Sequence, residues 1–314
     1  MSRWDILRGE RMRDSEAKLP AEQRQHEREG ASISVGRGPG EDSATPSPER
    51  PLPQSQERAA PASTRRCEHR DRDTRYALRA SEVAAMADIG RFRAIDVRDL
   101  SKFVYGGDER HLRYDMESLR QQRLTEEKTL LRAHRSARKL LTLTAQGERI
   151  VRQLSGLPKE QRLYHGFVKP KELDHDADLY KVYQRAAEEV RARGGKPGRV
   201  RLDFELKESI NRTRESAARM PTAERNEQLR LAAESQGLTV QGARVHLPDM
   251  QLEYETRDGR LERENLELLS QNYREQGIRG KAAAGFKIYA RPCDSARIRR
   301  ALQDTGLVRQ VLAL

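Results

Sequence analysis

Three residues late in the chain have the types that metal-assisted phosphodiester chemistry needs: Asp249, Glu267 and Lys281. Asp249 follows Pro248, and Glu267 closes Asn265-Leu266-Glu267 beyond a turn at Asp258-Gly259. Two such carboxylates on adjacent strands can hold one Mg²⁺ and leave positions for a phosphate and a water. The ion would activate the water and stabilise charge at phosphorus, while a lysine supports the nucleophile. The strand that carries Glu267 supplies no such lysine, since Leu269 stands two residues further on. Lys281 on the next helix would have to reach in, with Tyr273 as a further polar contributor. A rival set is Glu205-Leu206-Lys207 with Asp203 before it, three charges alternating on one expected strand face, as any solvated face does. No cofactor is expected, except Mg²⁺ if cleavage is the activity.

A second group suits a polyanion instead. Arg110, His111, Arg113, Tyr114 and Gln121 fall within one helical segment, and Arg132, His134, Arg135, Arg138 and Lys139 crowd the connection that follows. In the segment, Leu112, Met116 and Leu119 recur at i, i+4 and i+7 and form an inward stripe. Arg110, Tyr114, Glu117 and Gln121 then point outward, with His111 and Arg113 on the flanks.

The elements that position these groups read as follows. Residues 80–88 and 96–103 are two short helices, the second opened by Asp96. The turn Val104-Tyr105-Gly106-Gly107 follows, and Asp108 caps the third helix. Residues 124–131 and 140–143 are strand-like, joined by the cationic stretch 132–139 as a wing that would neutralise phosphates. A helix, a glycine turn and a helix with a basic outer face place side chains in a major groove. Leu143-Thr144-Ala145-Gln146-Gly147 then leads into another helix. With that L-T-x-x-G turn closing a basic wing, about 75 residues resemble MarR-type winged-helix regulators.

Downstream, 176–193 reads as a helix, 200–206 as a strand, and 207–219 and 223–236 as helices. Strand-like 239–247 and 250–256 follow, then the Asp258-Gly259 turn and 261–269, a hairpin signal. A helix near 280–284, a strand at 286–289 and a helix at 295–303 complete the chain. The order resembles the PD-(D/E)xK nuclease core. The stretch 265–289 is also similar to the C-terminal part of replication-relaxation family proteins. That resemblance implies a winged helix joined to a degenerate nuclease-like domain on mobile elements.

The expected fold class is α+β and multidomain: a disordered basic leader over 1–75, a winged helix-turn-helix over 76–156, and a nuclease-like α/β domain over 157–314 with a mixed sheet of four or five strands. Pro, Gly, Ser and charged residues dominate the leader, which has little to bury. Its arginines Arg65, Arg66, Arg70, Arg72 and Arg75 could track DNA. The net charge of +12 favours nucleic acid as partner. Cys67 and Cys293 make neither a disulfide framework nor a zinc site, and the seven histidines lack metal-ligand spacing. No run could span a bilayer, and a cytoplasmic location is expected. The expected function is sequence-directed binding of double-stranded DNA, in transcriptional control or in plasmid or mobile-element transfer and maintenance. A metal-dependent nuclease or nicking accessory is the alternative. A protein-interaction scaffold of a transfer or replication complex is a third reading, and oligomeric state is open.

Overall fold

The computed structural model describes residues 65–131, 137–168, 170–241, 244–269, 273–303 and 311–313. It starts with an antiparallel hairpin, β1 (Cys67–Asp71) and β2 (Thr74–Leu78). The leader expected over 1–75 therefore does not run through this stretch, and residues 1–64 lie outside the described residues. Buried Tyr76 and Leu78 anchor the hairpin, and Asp71 takes the Arg149 guanidinium at 3.0 Å. Arg66 donates to the Ala77 carbonyl and to Ser118 Oγ, both at 2.9 Å, and pairs with Glu82 at 3.2 Å.

A winged helix-turn-helix follows: α1 (Ala80–Arg91), β3 (Ile95–Asp96), α2 (Val97–Val104), α3 (Glu109–Gln121), β4 (Thr125–Leu131), β5 (Ala137–Leu143) and α4 (Ala145–Leu154). The Asp96 side chain caps α2 by accepting from Arg98 N at 2.8 Å. Asp108 caps α3 by accepting from Arg110 N and His111 N, both at 3.0 Å. Each such cap contributes about 1 kcal/mol. The turn between the helices needs φ of 60° at Gly106 and 91° at Gly107, a region that side chains disfavour. The three strands pair antiparallel in the order β3-β5-β4. At the start of α4, Thr144 Oγ1 accepts from Gly147 N at 3.0 Å and donates to the Arg123 carbonyl at 2.7 Å. A Cβ on Gly147 would lie 2.0 Å from the Leu124 carbonyl oxygen. The L-T-x-x-G turn thus has two physical causes: a threonine that caps and a glycine that lets the helix touch backbone.

The remaining elements are α5 (Pro170–Ala192), β6 (Lys196–Leu202), α6 (Asp203–Ser216), α7 (Thr222–Ser235), β7 (Val240–Gln241), β8 (Arg244–Val245), β9 (Met250–Glu255), β10 (Leu261–Leu269), α8 (Glu275–Ala283), β11 (Lys287–Ala290), α9 (Pro292–Gln303) and β12 (Val311–Ala313). Five strands form one mixed sheet in the order β12-β11-β10-β9-β6, parallel across β10, β11 and β12 and antiparallel across β10, β9 and β6. Alternation along β10 sends Leu266 and Leu268 into the core shared with α5, and Leu269 into the cluster formed with α8 and α9. Strand β6 is an edge, and the Gln161 side-chain amide bonds both Val200 N (2.8 Å) and Val200 O (3.0 Å) on its outer side.

Asp203, Glu205 and Lys207 do not alternate on a strand as expected. They open helix α6, where Leu206 and Ile210 are buried at i and i+4. Glu205 bends back to accept from Leu202 N at 3.2 Å, and Lys207 pairs with Asp203 along the helix. That ends the rival catalytic set.

One apolar core crosses the expected boundary near residue 157, running from Tyr76 through Phe92 to Leu268 and Tyr289. Phe92, just beyond α1, packs edge-on to Tyr180 of α5 at 5.3 Å and tilted on Tyr183 at 5.5 Å. Tyr180 donates to Asp88 at 2.7 Å, and Arg91 donates to the Tyr183 hydroxyl at 2.8 Å. Burying each large ring contributes roughly 1.5–3 kcal/mol, so this seam holds the winged helix firmly on α5. No helix among the described residues is long and apolar enough to cross a membrane.

Candidate nucleic-acid interface and buried carboxylate cluster

Helix α3 buries Leu112 and Leu119 and presents Arg110, Arg113, Tyr114, Glu117 and Gln121 to solvent, as its periodicity predicts. Arg110, Arg113, Tyr114, Glu117 and Gln121 line an open hollow of about 660 Å³ together with Arg66. The Tyr114 ring is 57% exposed, with the Arg79 guanidinium 4.3 Å and that of Arg66 5.9 Å from its centroid. Arg120 and Gln121 both bond Glu117, at 2.7 and 3.0 Å. Arg110 and Arg113 have no ion-pair partner among the described residues.

His111 departs from the expected DNA-facing set. Its ring packs edge-on to Tyr105 at 5.2 Å, and Nε2 lies 3.3 Å from both Ser81 Oγ and Asp115 Oδ2. The group that pulls it in is Asp115, buried inside α3. Asp115 accepts from Arg79 at 2.8 Å, Ser81 at 2.6 Å and Tyr105 at 3.2 Å. A buried carboxylate is tolerated only when its oxygens are filled in this way.

The wing differs more. Strand β5 begins at Ala137, so Arg138 and Lys139 lie on it rather than in a loop. Lys139 points out and pairs with Glu127 at 3.2 Å. Arg138 points in, is 2% exposed, and is enclosed by Asp96, Asp99, Asp174 and Asp178. It cannot reach a phosphate and leaves the DNA-facing set. Burial alone would raise Asp178, but Arg138, Lys181 and Arg291 outweigh it and hold the carboxyl at about 2. Arg132, His134 and Arg135 lie outside the described residues.

Asp249, Glu267 and Lys281 do converge. Glu267 is fully buried, with Oε1 2.8 Å from Lys281 Nζ and accepting from the Tyr273 hydroxyl at 2.8 Å. Its Oε2 accepts from Asp249 N at 3.1 Å. Asp249 Oδ2 accepts from Leu268 N at 2.9 Å and lies 3.4 Å from His175 Nε2. Lys281 also donates to the Leu247 carbonyl at 2.6 Å. Burial, reinforced by the neighbouring Asp249 carboxylate, pushes Glu267 up to about 7. Burial pulls His175 down, but its bonds to Asp176 and Asp249 outweigh that and hold the ring at about 10.

These residues do not fit a divalent metal. Both Glu267 oxygens are already bonded, and Lys281 and His175 supply the positive charge an ion would bring. Among the described residues, no group of three or more His, Cys, Asp or Glu side chains could hold a metal ion.

No protein-family model matches this sequence, so the MarR-type and replication-relaxation resemblances stay with the motifs that carry them. No curated protein matches it either. Among solved structures, the chain is similar to PadR of Bacillus subtilis in complex with operator DNA. The identity is 13%, covering 51% of this chain and 93% of that one, with a TM-score of 0.21. At that TM-score the likeness carries no argument. The winged helix-turn-helix stands on the element order and strand pairing of the chain itself.

Sequence reasoning had Arg66 only as one arginine of the leader, and missed Arg79, Asp115 and His175. Asp115 had a signal, since it lies three residues after Leu112 and beside Met116, within the inward stripe. Arg79 had none, because Asp115 is 36 residues away in sequence.

Proposed function

We propose that this chain binds double-stranded DNA, with α3 in the major groove and the β4–β5 wing beside it. The setting we propose is transcriptional control, or plasmid or mobile-element transfer and maintenance. One observation carries the reading: Arg110 and Arg113, exposed on α3 and unpaired among the described residues, flank a tyrosine ring held by Arg79. An arginine so placed can fork onto guanine O6 and N7. Unpaired cations on one helix face are otherwise a source of mutual repulsion, and a polyanion relieves it. Lys139, exposed on the wing strand β5, would be a phosphate contact. The bonded cluster around Glu267 supports a structural role for that site.

The test is fluorescence anisotropy of the full chain on a labelled duplex of about 30 base pairs, between about 50 and 200 mM KCl. Affinity should fall linearly with salt on logarithmic axes. Binding that ignores salt, or no binding, would end the reading.

A further inference from the structure

Arg138 belongs to the wing by sequence and to the interior by position. Its Nε donates to Asp96 Oδ2 at 2.7 Å, its Nη1 to Asp174 Oδ1 at 2.9 Å, and its Nη2 to Asp178 Oδ1 at 3.0 Å. Asp99 Oδ2 lies 3.5 Å from Nη2. These carboxylates come from two elements besides the wing strand. Asp96 caps α2 and Asp99 lies in its first turn, whereas Asp174 and Asp178 are one turn apart on α5. Arg291, which precedes α9, shares both α5 carboxylates, at 3.4 Å to Asp174 and 2.6 Å to Asp178. A planar guanidinium with five donors can join three elements at once, as a single ammonium cannot.

The wing needs such a tie. Its hairpin rests on β3, which pairs with only Leu140 and Leu141 of β5. A two-stranded ribbon is marginal by itself. The apolar contacts beneath it, Leu140 and Leu130 with Ala94, Leu173 and Ala177, are not directional. The Arg138 bonds are directional. Lys139, the next residue, points to the opposite face and is 62% exposed.

We propose that Arg138 is a positioning residue for DNA binding: it ties β5 to α2 and α5, sets the angle of the wing against α3, and never touches DNA. The proposal rests on the DNA-binding reading and names the residue that fixes its phosphate-binding strands. It also makes α5 a determinant of how the wing meets DNA.

The experiment uses the full chain on a labelled mixed-sequence duplex of about 30 base pairs, titrated over about 50 to 200 mM KCl. All variants are compared well below their unfolding midpoints, measured in parallel. Lys139→Ala should lower the salt slope by about one phosphate contact. Arg138→Lys keeps the charge count, yet should weaken binding about ten-fold and lower the slope by more than one contact. Adding Lys139→Ala to Arg138→Lys should then change little, because the wing has already left the duplex. Asp174→Asn, at the exposed end of the cluster, should reproduce the effect in smaller degree and carries the test if Arg138→Lys fails to fold. An unfolding midpoint that drops while affinity and slope stay put would make Arg138 merely structural and overturn the proposal. So would full additivity of the two changes. A wild-type chain that binds no duplex would overturn the DNA reading itself, a result distinct from both.

Discussion

The Lys281 ammonium lies 2.8 Å from Glu267 Oε1, and the lysine side chain is only 18% exposed while the glutamate is fully buried. Neither charge can turn to water if its partner is removed. Lys281→Met should therefore destabilise the fold by about 3–5 kcal/mol near pH 8. The loss should be smaller near pH 5, because Glu267, already raised from 4.5 to about 7, takes up a proton. A carboxyl raised in the folded state favours folding below its unfolded value and loses that benefit as pH rises through the folded one. Adding Glu267→Gln should restore much of the stability, since it removes the stranded charge. Denaturant unfolding of both variants checks this; an equal penalty at both pH values would contradict it.

His175 sets a second pH dependence. Its ring is raised from 6.5 to about 10 by Asp176 and Asp249 against the pull of burial. Its stabilisation is fully present below 6.5 and is lost as pH rises through about 10. Wild-type unfolding midpoints should fall over that window, and His175→Gln should flatten the fall. An unchanged decline in the variant would place the titration elsewhere.

Gly147→Ala should cost about 1–3 kcal/mol by overpacking, although alanine is the better helix former by about 1 kcal/mol. The new Cβ would sit 2.0 Å from the Leu124 carbonyl oxygen, closer than any carbon can stay. Thermal unfolding reads the effect, and a stabilised variant would show that this backbone can retreat.

On the interface, Arg113→Ala should cost about 1–3 kcal/mol on the preferred duplex and blur sequence preference. Arg120→Ala should cost under about 1 kcal/mol, because Arg120 is already engaged by Glu117 at 2.7 Å. Selection from a randomised duplex pool followed by affinity measurement separates the two. Equal losses on every sequence would demote Arg113 to a phosphate contact.

Magnesium should do little. With Lys281 and His175 beside the two carboxylates, adding about 10 mM Mg²⁺ should leave the unfolding midpoint unchanged and supercoiled plasmid intact. A midpoint that rises with Mg²⁺ and no longer does so in Glu267→Gln would reinstate a metal site.

The wing hairpin and α3 were legible in the sequence wherever periodicity was long. Leu112, Met116 and Leu119 placed α3 to within a residue, and Asp258-Gly259 placed the β9–β10 hairpin. Arg138 was misplaced because the strand was begun at Leu140. Begun at Ala137, the same alternation puts Arg138 on the buried face with Leu140. The alternation from Val200 to Leu206 reads as strand throughout, but the strand stops at Leu202, and the Glu205 bond to Leu202 N marks a helix start at Asp203. Convergence of Asp249, Glu267 and Lys281 was foreseeable from strand pairing. Lys281 arrives from α8 on the face that Leu269 shares, which is why a lysine at 269 is not needed for the contact.

Gln161 gives the sheet a boundary of a different kind. By bonding both Val200 N and Val200 O, its amide stands in for the neighbouring strand that β6 lacks. A strand from a second copy would have to displace that side chain to pair at Val200, so edge-to-edge assembly along β6 meets a barrier there. If copies gather on DNA as proposed, an edge occupied by its own chain would oppose strand pairing between crowded neighbours along β6.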